Sequence, residues 1–118
     1  MYFSNLLKKC ISLSIIFSFF LSCTKNVGHL SIENESSQRV LTAKLIVYGK
    51  EYVVRDVNPG STANVKYEVF DDTEYVVIVD IESGKTHKTK GRYVTSGLSY
   101  FDKLRIEDKG IFLETSSK

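Results

Sequence analysis

After residue 28 the chain places apolar side chains at every second position over long stretches. Leu41, Ala43, Leu45 and Val47 form one such set; Val65, Tyr67 and Val69 form another, with Lys66 and Glu68 opposite. A period of two puts alternate side chains on opposite faces of an extended strand. EYVVIVDI, residues 74–81, is apolar on both faces for part of its length and reads as a central strand. Leu98, Tyr100, Leu104 and Ile106 share a face that Asp102 interrupts. No stripe of helical period appears. The pattern and the richness in Val, Ile, Thr, Tyr and Phe predict strands near 29–34, 39–48, 51–57, 63–70, 74–82, 86–94, 98–107 and 111–115.

Turn residues punctuate these segments. Gly49-Lys50 suits a two-residue hairpin with glycine first. Asn58-Pro59-Gly60-Ser61 suits a type II turn, proline presetting the second position and glycine accepting the positive φ of the third. Ser83-Gly84 and Lys109-Gly110 mark two more hairpins. Short strands at this spacing, without a βαβ rhythm, predict an all-β fold: a small β-sandwich, immunoglobulin-like or transthyretin-like in its Greek key. A small closed β-barrel is the alternative.

The first residues are patterned differently. Lys8 and Lys9 are the only charges before Lys25, and Ile11 to Leu21 is apolar apart from Ser12, Ser14 and Ser18. That is a positive n-region followed by the h-region of a signal peptide. The alternative, a short transmembrane or buried helix, has to span with fewer than the roughly 20 apolar residues a bilayer needs. Cleavage after Ser22 by an ordinary signal peptidase puts Phe20 where a small residue belongs. Phe19-Phe20-Leu21-Ser22-Cys23 instead resembles a bacterial lipobox, although Phe20 replaces the usual leucine and Leu21 is bulkier than the preferred residue. The resemblance covers residues 1–23. It implies cleavage before Cys23 and acylation of its sulfur and new amino group. Each buried CH₂ contributes about 0.8 kcal/mol, so several chains hold a small domain firmly where one holds it marginally. Thr24, by the common sorting rule of such lipoproteins, implies the outer membrane rather than retention at the inner one. The expected organisation is a signal peptide over 1–22, the lipidated cysteine and a short tether over 23–28, and one all-β domain over 29–118.

Composition then changes the picture in two ways. Of the 118 residues, cleavage leaves 96, enough for one modest core. Lys8 and Lys9 account for the whole formal charge of +2, so the exported part is neutral and gives no argument for nucleic acid. Cys10 leaves with the signal peptide. Cys23 is then the last cysteine, which excludes an internal disulfide.

Candidate chemistry is sparse. His29 and His87 are the only histidines, and TSGLS, 95–99, lacks the leading glycine of a nucleophile elbow. No phosphate-binding glycine loop and no metal-ligand spacing occur, so neither cofactor nor metal is expected. FDDTE, 70–74, reads as an acidic turn before a calcium site. GKTHKTKGR, 84–92, is the most distinctive run. In a regular strand Lys88, Lys90 and Arg92 point to one side, with His87 and Thr89 on the other. Such a ladder, with Tyr93 at its end, suits an acidic partner, an anionic glycan or a lipid headgroup. It suits better still an edge strand guarded by lysine against stray pairing. Tyr67, Tyr75 and Tyr100 belong to apolar faces; Tyr48, Tyr52 and Tyr93 are the more exposed candidates. The expectation is a non-enzymatic envelope lipoprotein that binds a protein partner as an accessory subunit, inhibitor or immunity-type factor. The alternative is a binder of anionic glycan or lipid headgroup through the basic strand.

Overall fold

A computed structural model describes residues 25–117; residues 1–22, expected to be a signal peptide, and Cys23 lie outside the described residues. Eight strands follow one another: β1 (Asn26–Asn34), β2 (Val40–Val47), β3 (Lys50–Val57), β4 (Thr62–Val69), β5 (Thr73–Ile81), β6 (Thr86–Val94), β7 (Tyr100–Glu107) and β8 (Gly110–Glu114). Each matches a segment the alternation predicts. β1 starts earlier than expected because Asn26, Val27 and Gly28 pair with Val69, Glu68 and Tyr67 of β4, and partner strands supply ladder bonds whatever the side chains. Lys25 is thus the only described residue that precedes β1. β7 starts later than expected, and Leu98 stands in the preceding loop.

The strands form two four-stranded sheets, a first of order β4-β1-β7-β8 and a second of order β3-β2-β5-β6. β1 and β7 run parallel; every other pair is antiparallel. The result is a sandwich and not a closed barrel. Antibody domains divide their strands 1-2-5-4 and 3-6-7, so of the two Greek keys expected the order leaves the transthyretin-like one. β5 lies centrally between β2 and β6, as its apolar character on both faces requires.

Alternation builds the core. Leu30 and Ile32 of β1, Leu45 and Val47 of β2, Val77 and Val79 of β5, and Leu104 and Ile106 of β7 meet between the sheets, all but unexposed. Each such side chain contributes roughly 1.5–3 kcal/mol by leaving water. Tyr67, Tyr75 and Tyr100 join them, as their faces predict. Tyr67 and Tyr75 meet edge to face at 6.1 Å.

One turn differs from expectation. Val47 pairs with Lys50, so the β2–β3 loop is Tyr48-Gly49, with glycine second. Both residues have positive φ, 52° and 71°, which is the type I′ geometry that matches strand twist. A tyrosine in this conformation costs about 1–2 kcal/mol. Its ring stacks on Phe70 at 4.1 Å and its hydroxyl donates to the Asp71 carbonyl, which offsets the cost. The Asn58–Ser61 turn is as expected, with Gly60 at φ 83° and Ser61 N donating to Asn58 O at 2.9 Å.

Asn34 closes that end of the sandwich. Its buried amide donates to Gln38 O and Val57 O, both at 2.8 Å, and its Oδ1 accepts Ser36 N at 3.0 Å and Ser36 Oγ at 2.6 Å. Both donors and both acceptor positions are filled, as burial demands.

Candidate functional site

β6 is an edge strand of the second sheet and carries the basic run. Its register against β5 shifts between Glu74 and Val76: Val76 faces Lys90, Glu74 faces Tyr93, and Tyr75 faces both Gly91 and Arg92. This is a β-bulge, one extra residue on the edge strand. Before it, Lys88 and Lys90 point outward beside Ile78 and Val76. At the bulge the alternation breaks. Arg92 turns inward, while Tyr93 remains 61% exposed. The three-cation ladder expected from strict alternation is therefore two lysines and a separate arginine.

Gly91 is the cause. A Cβ on Gly91 would meet the Tyr75 ring at 1.8 Å, so only glycine lets that ring lie against the strand. The Tyr75 hydroxyl donates to Asp102 Oδ2 at 2.6 Å, across the sandwich. Asp102 Oδ1 accepts Arg92 Nη1 at 3.1 Å and Ser116 N at 3.2 Å. Arg92 also donates to Ser116 O at 3.0 Å, and its guanidinium lies 4.4 Å from the Tyr100 ring centroid. Burial, then the bond to Asp102, pushes the Tyr75 hydroxyl well above the ordinary tyrosine value. Asp102, the residue interrupting an apolar face in the sequence, is thus a buried carboxylate fully engaged by protein donors. The cluster is a structural bolt between β5, β6, β7 and the C-terminal segment.

The outer face of the second sheet is arranged in rows by its register: Val53–Lys44–Ile78–Lys88, then Glu51–Ile46–Val76–Lys90. Half-buried Ile46, Val76 and Ile78 form an aliphatic strip, with Val53 at 38% exposure beside it. Lys88 and Lys90 edge the strip on β6, Lys44 stands between Val53 and Ile78, and Glu51 ends the second row on β3; among the described residues none of the three lysines pairs with a carboxylate within 4 Å. Asp80, in the next row, accepts Thr86 Oγ1 at 2.7 Å and Thr42 Oγ1 at 2.9 Å; these bonds, with Lys44 nearby, hold its carboxyl below the usual range.

The outer face of the first sheet pairs most of its charges internally, exposed Lys66 opposite His29 excepted. Lys103 pairs with Glu33 at 3.6 Å, and Arg105 with Glu114 at 2.9 Å and Glu107 at 3.7 Å. Lys25 pairs with Glu68 at 3.5 Å. His29 stacks on Phe101, ring centroids 5.1 Å apart.

His87 borders a cleft with Ser36, Lys85, Glu107 and Asp108, whose water-accessible space is about 30 Å³. That holds a water or two and no metabolite. Among the described residues His87 hydrogen-bonds no serine and no carboxylate, and no group of three or more His, Cys, Asp or Glu is placed to hold a metal. The acidic run of 70–74 is a turn, as read from the sequence: Asp72 Oδ1 accepts Ser96 N at 2.8 Å. Tyr48 and Tyr52 pack partly against the core.

Lys88, Lys90 and Tyr93 are exposed, as the sequence suggests; that Lys44, Ile46, Val53, Val76 and Ile78 share the face of the two lysines is not read from it. The double-sided apolar character of 74–81 was the available signal for Val76 and Ile78. Cross-strand register, which pairs Lys44 with Ile78 and Ile78 with Lys88, is not written locally.

No family model and no curated protein matches the chain. A protein from Eubacterium rectale, solved by NMR, superposes with a TM-score of 0.57 at 11% identity, over 77% of this chain and 91% of that one. At that identity the likeness is one of fold.

Proposed function

We propose that the chain is a lipoprotein of a bacterial cell envelope, held by acyl chains on Cys23, whose sandwich binds a protein partner without catalysing a reaction. It acts as an accessory subunit, inhibitor or immunity-type factor, at the outer membrane by the identity of Thr24. The observation that carries the binding role is the outer face of the second sheet. Unpaired Lys44, Lys88 and Lys90 stand beside Ile46, Val76 and Ile78 there, whereas the opposite sheet pairs its cations with carboxylates, Lys66 excepted. The aliphatic strip and the lysines beside it fit a partner presenting apolar side chains flanked by carboxylates. Docking by the face is favoured over strand addition at β6, because its bulge and outward lysines discourage edge pairing.

The test is affinity capture from envelope membranes with the wild-type chain, Lys88→Glu with Lys90→Glu, and Cys23→Ser. A partner retained by wild type and lost from both variants supports the reading. A partner retained by the lysine variant removes the face from it. A second reading, an anionic glycan or lipid headgroup bound by Lys88, Lys90 and Tyr93, is supported by exposed Tyr93 standing next along the same strand. It requires binding to the isolated polyanion that weakens steeply with salt.

A further inference from the structure

The two ends of the sandwich differ sharply. The loops 35–39, 58–61, 82–85 and 108–109 make one end, and none contains an aromatic or large aliphatic residue. The other end, where the chain enters at Lys25 and Asn26, gathers the most exposed large apolar side chains among the described residues. These are Phe70 and Tyr93 at 61%, Phe101 at 45% and Leu98 at 40%. Single exposed apolar residues scattered over a surface need no explanation, but their concentration at one end does.

Hydrogen bonds knit that end into one platform. Tyr48 stacks on Phe70 and donates to Asp71 O, which ties the β2–β3 hairpin to the β4–β5 loop. Asp72 Oδ1 accepts Ser96 N at 2.8 Å, which ties that loop to the β6–β7 loop. Ser99 Oγ in turn accepts Val27 N at 3.2 Å, at the root of the tether. Phe70 and Leu98 are therefore held outward on a rigid surface.

We infer that this platform rests on the lipid surface, with Phe70 and Leu98 seated at headgroup depth and Tyr93 and Phe101 at its rim. The inference rests on the membrane attachment proposed above. Cys23 precedes Asn26 by three residues, a reach of about 10 Å at most. Headgroup layers are roughly 5–8 Å deep, so an end so closely tethered meets them. Aromatic side chains favour this boundary, and contact strengthens with the apolar area it buries. The loops that carry Phe70 and Leu98, 70–72 and 95–99, hold Asp71 and Asp72 but no cation; Lys25 nearby is paired with Glu68 at 3.5 Å and Lys50 stands beside the hairpin, so the contact is chiefly apolar and depends far less on salt than binding by the lysine face.

The chain contains no tryptophan, so one introduced indole reports alone. The full chain carrying Phe70→Trp, and separately Leu98→Trp, is reconstituted into phosphatidylcholine vesicles with brominated acyl chains. Ser83→Trp, at the polar end, is the comparison. Both platform tryptophans are expected to lose most of their emission, in low and high salt alike, while the one at 83 keeps its own. Equal emission from all three positions in vesicle-bound protein overturns the inference. The mass of the same protein shows whether Cys23 carries lipid. Chain retained through its apolar segment, residues 11–21, also enters the membrane beside the platform. Failure of the acyl anchor and failure of the platform are thus read separately.

Discussion

The two halves of β6 put one basic run to opposite uses. From Thr86 to Lys90 the strand alternates, and Lys88 and Lys90 face solvent over Ile78 and Val76. From Gly91 onward the bulge turns Arg92 inward to Asp102, where it is held by a carboxylate, a carbonyl and an aromatic face. Cations two residues apart thus divide into a candidate contact and a structural fastening. The difference is a single extra residue, allowed because Gly91 makes room for the Tyr75 ring. Charge in a sequence therefore says little until strand register says where it points.

The strongest way to break the comparison is to remove the carboxylate. Asp102→Ala leaves the Tyr75 hydroxyl without its acceptor and Arg92 without its carboxylate, with only the Ser116 carbonyl remaining to it. Removing one partner of a buried pair typically costs about 3–5 kcal/mol. Chemical denaturation is expected to show a loss of that size, with an unchanged denaturant slope. Gly91→Ala comes next: the Tyr75 ring has to move, and overpacking costs about 1–3 kcal/mol, occasionally more. Its thermal unfolding midpoint is expected to fall, and Lys90→Ala one position earlier is expected to leave it unmoved.

Alkaline pH probes the same half. Tyr75 and Tyr67 have hydroxyls raised above the ordinary value of 10.0, chiefly by burial. A folded-state value above the unfolded one means the stabilisation is complete below pH 10 and is lost as pH rises beyond it, since only the unfolded chain then releases these protons. Stability measured from pH 8 to pH 11 is expected to decline above 10, and Tyr67→Phe with Tyr75→Phe to flatten the decline. The outward half gives the smallest effect on folding. Lys88→Glu with Lys90→Glu is expected to stay within about 0.5 kcal/mol of wild type in stability, while losing partner capture.

The strands were legible because the core demands period-two alternation, and every predicted segment has its strand. What stayed hidden was non-local. Tyr48 occupies a left-handed turn position because Phe70, far along the chain, stacks on it. Asp102 was visible as an interruption, but its partners Tyr75, Arg92 and Ser116 come from three separate segments. Arg92 was placed with the lysines because a bulge leaves no local mark beyond a glycine. Leu98 continues the apolar alternation of β7 yet lies in the loop before it, where the chain turns back past Asn26.

On the proposed function, the outer face of the second sheet meets a protein partner in the envelope. The most direct test of that contact places a photo-crosslinking residue at position 88, and separately at position 103 on the opposite sheet, in living cells. One discrete protein adduct is expected from position 88, abolished by Cys23→Ser, and none from position 103. Adducts of equal yield from both positions, or from 103 alone, would contradict it.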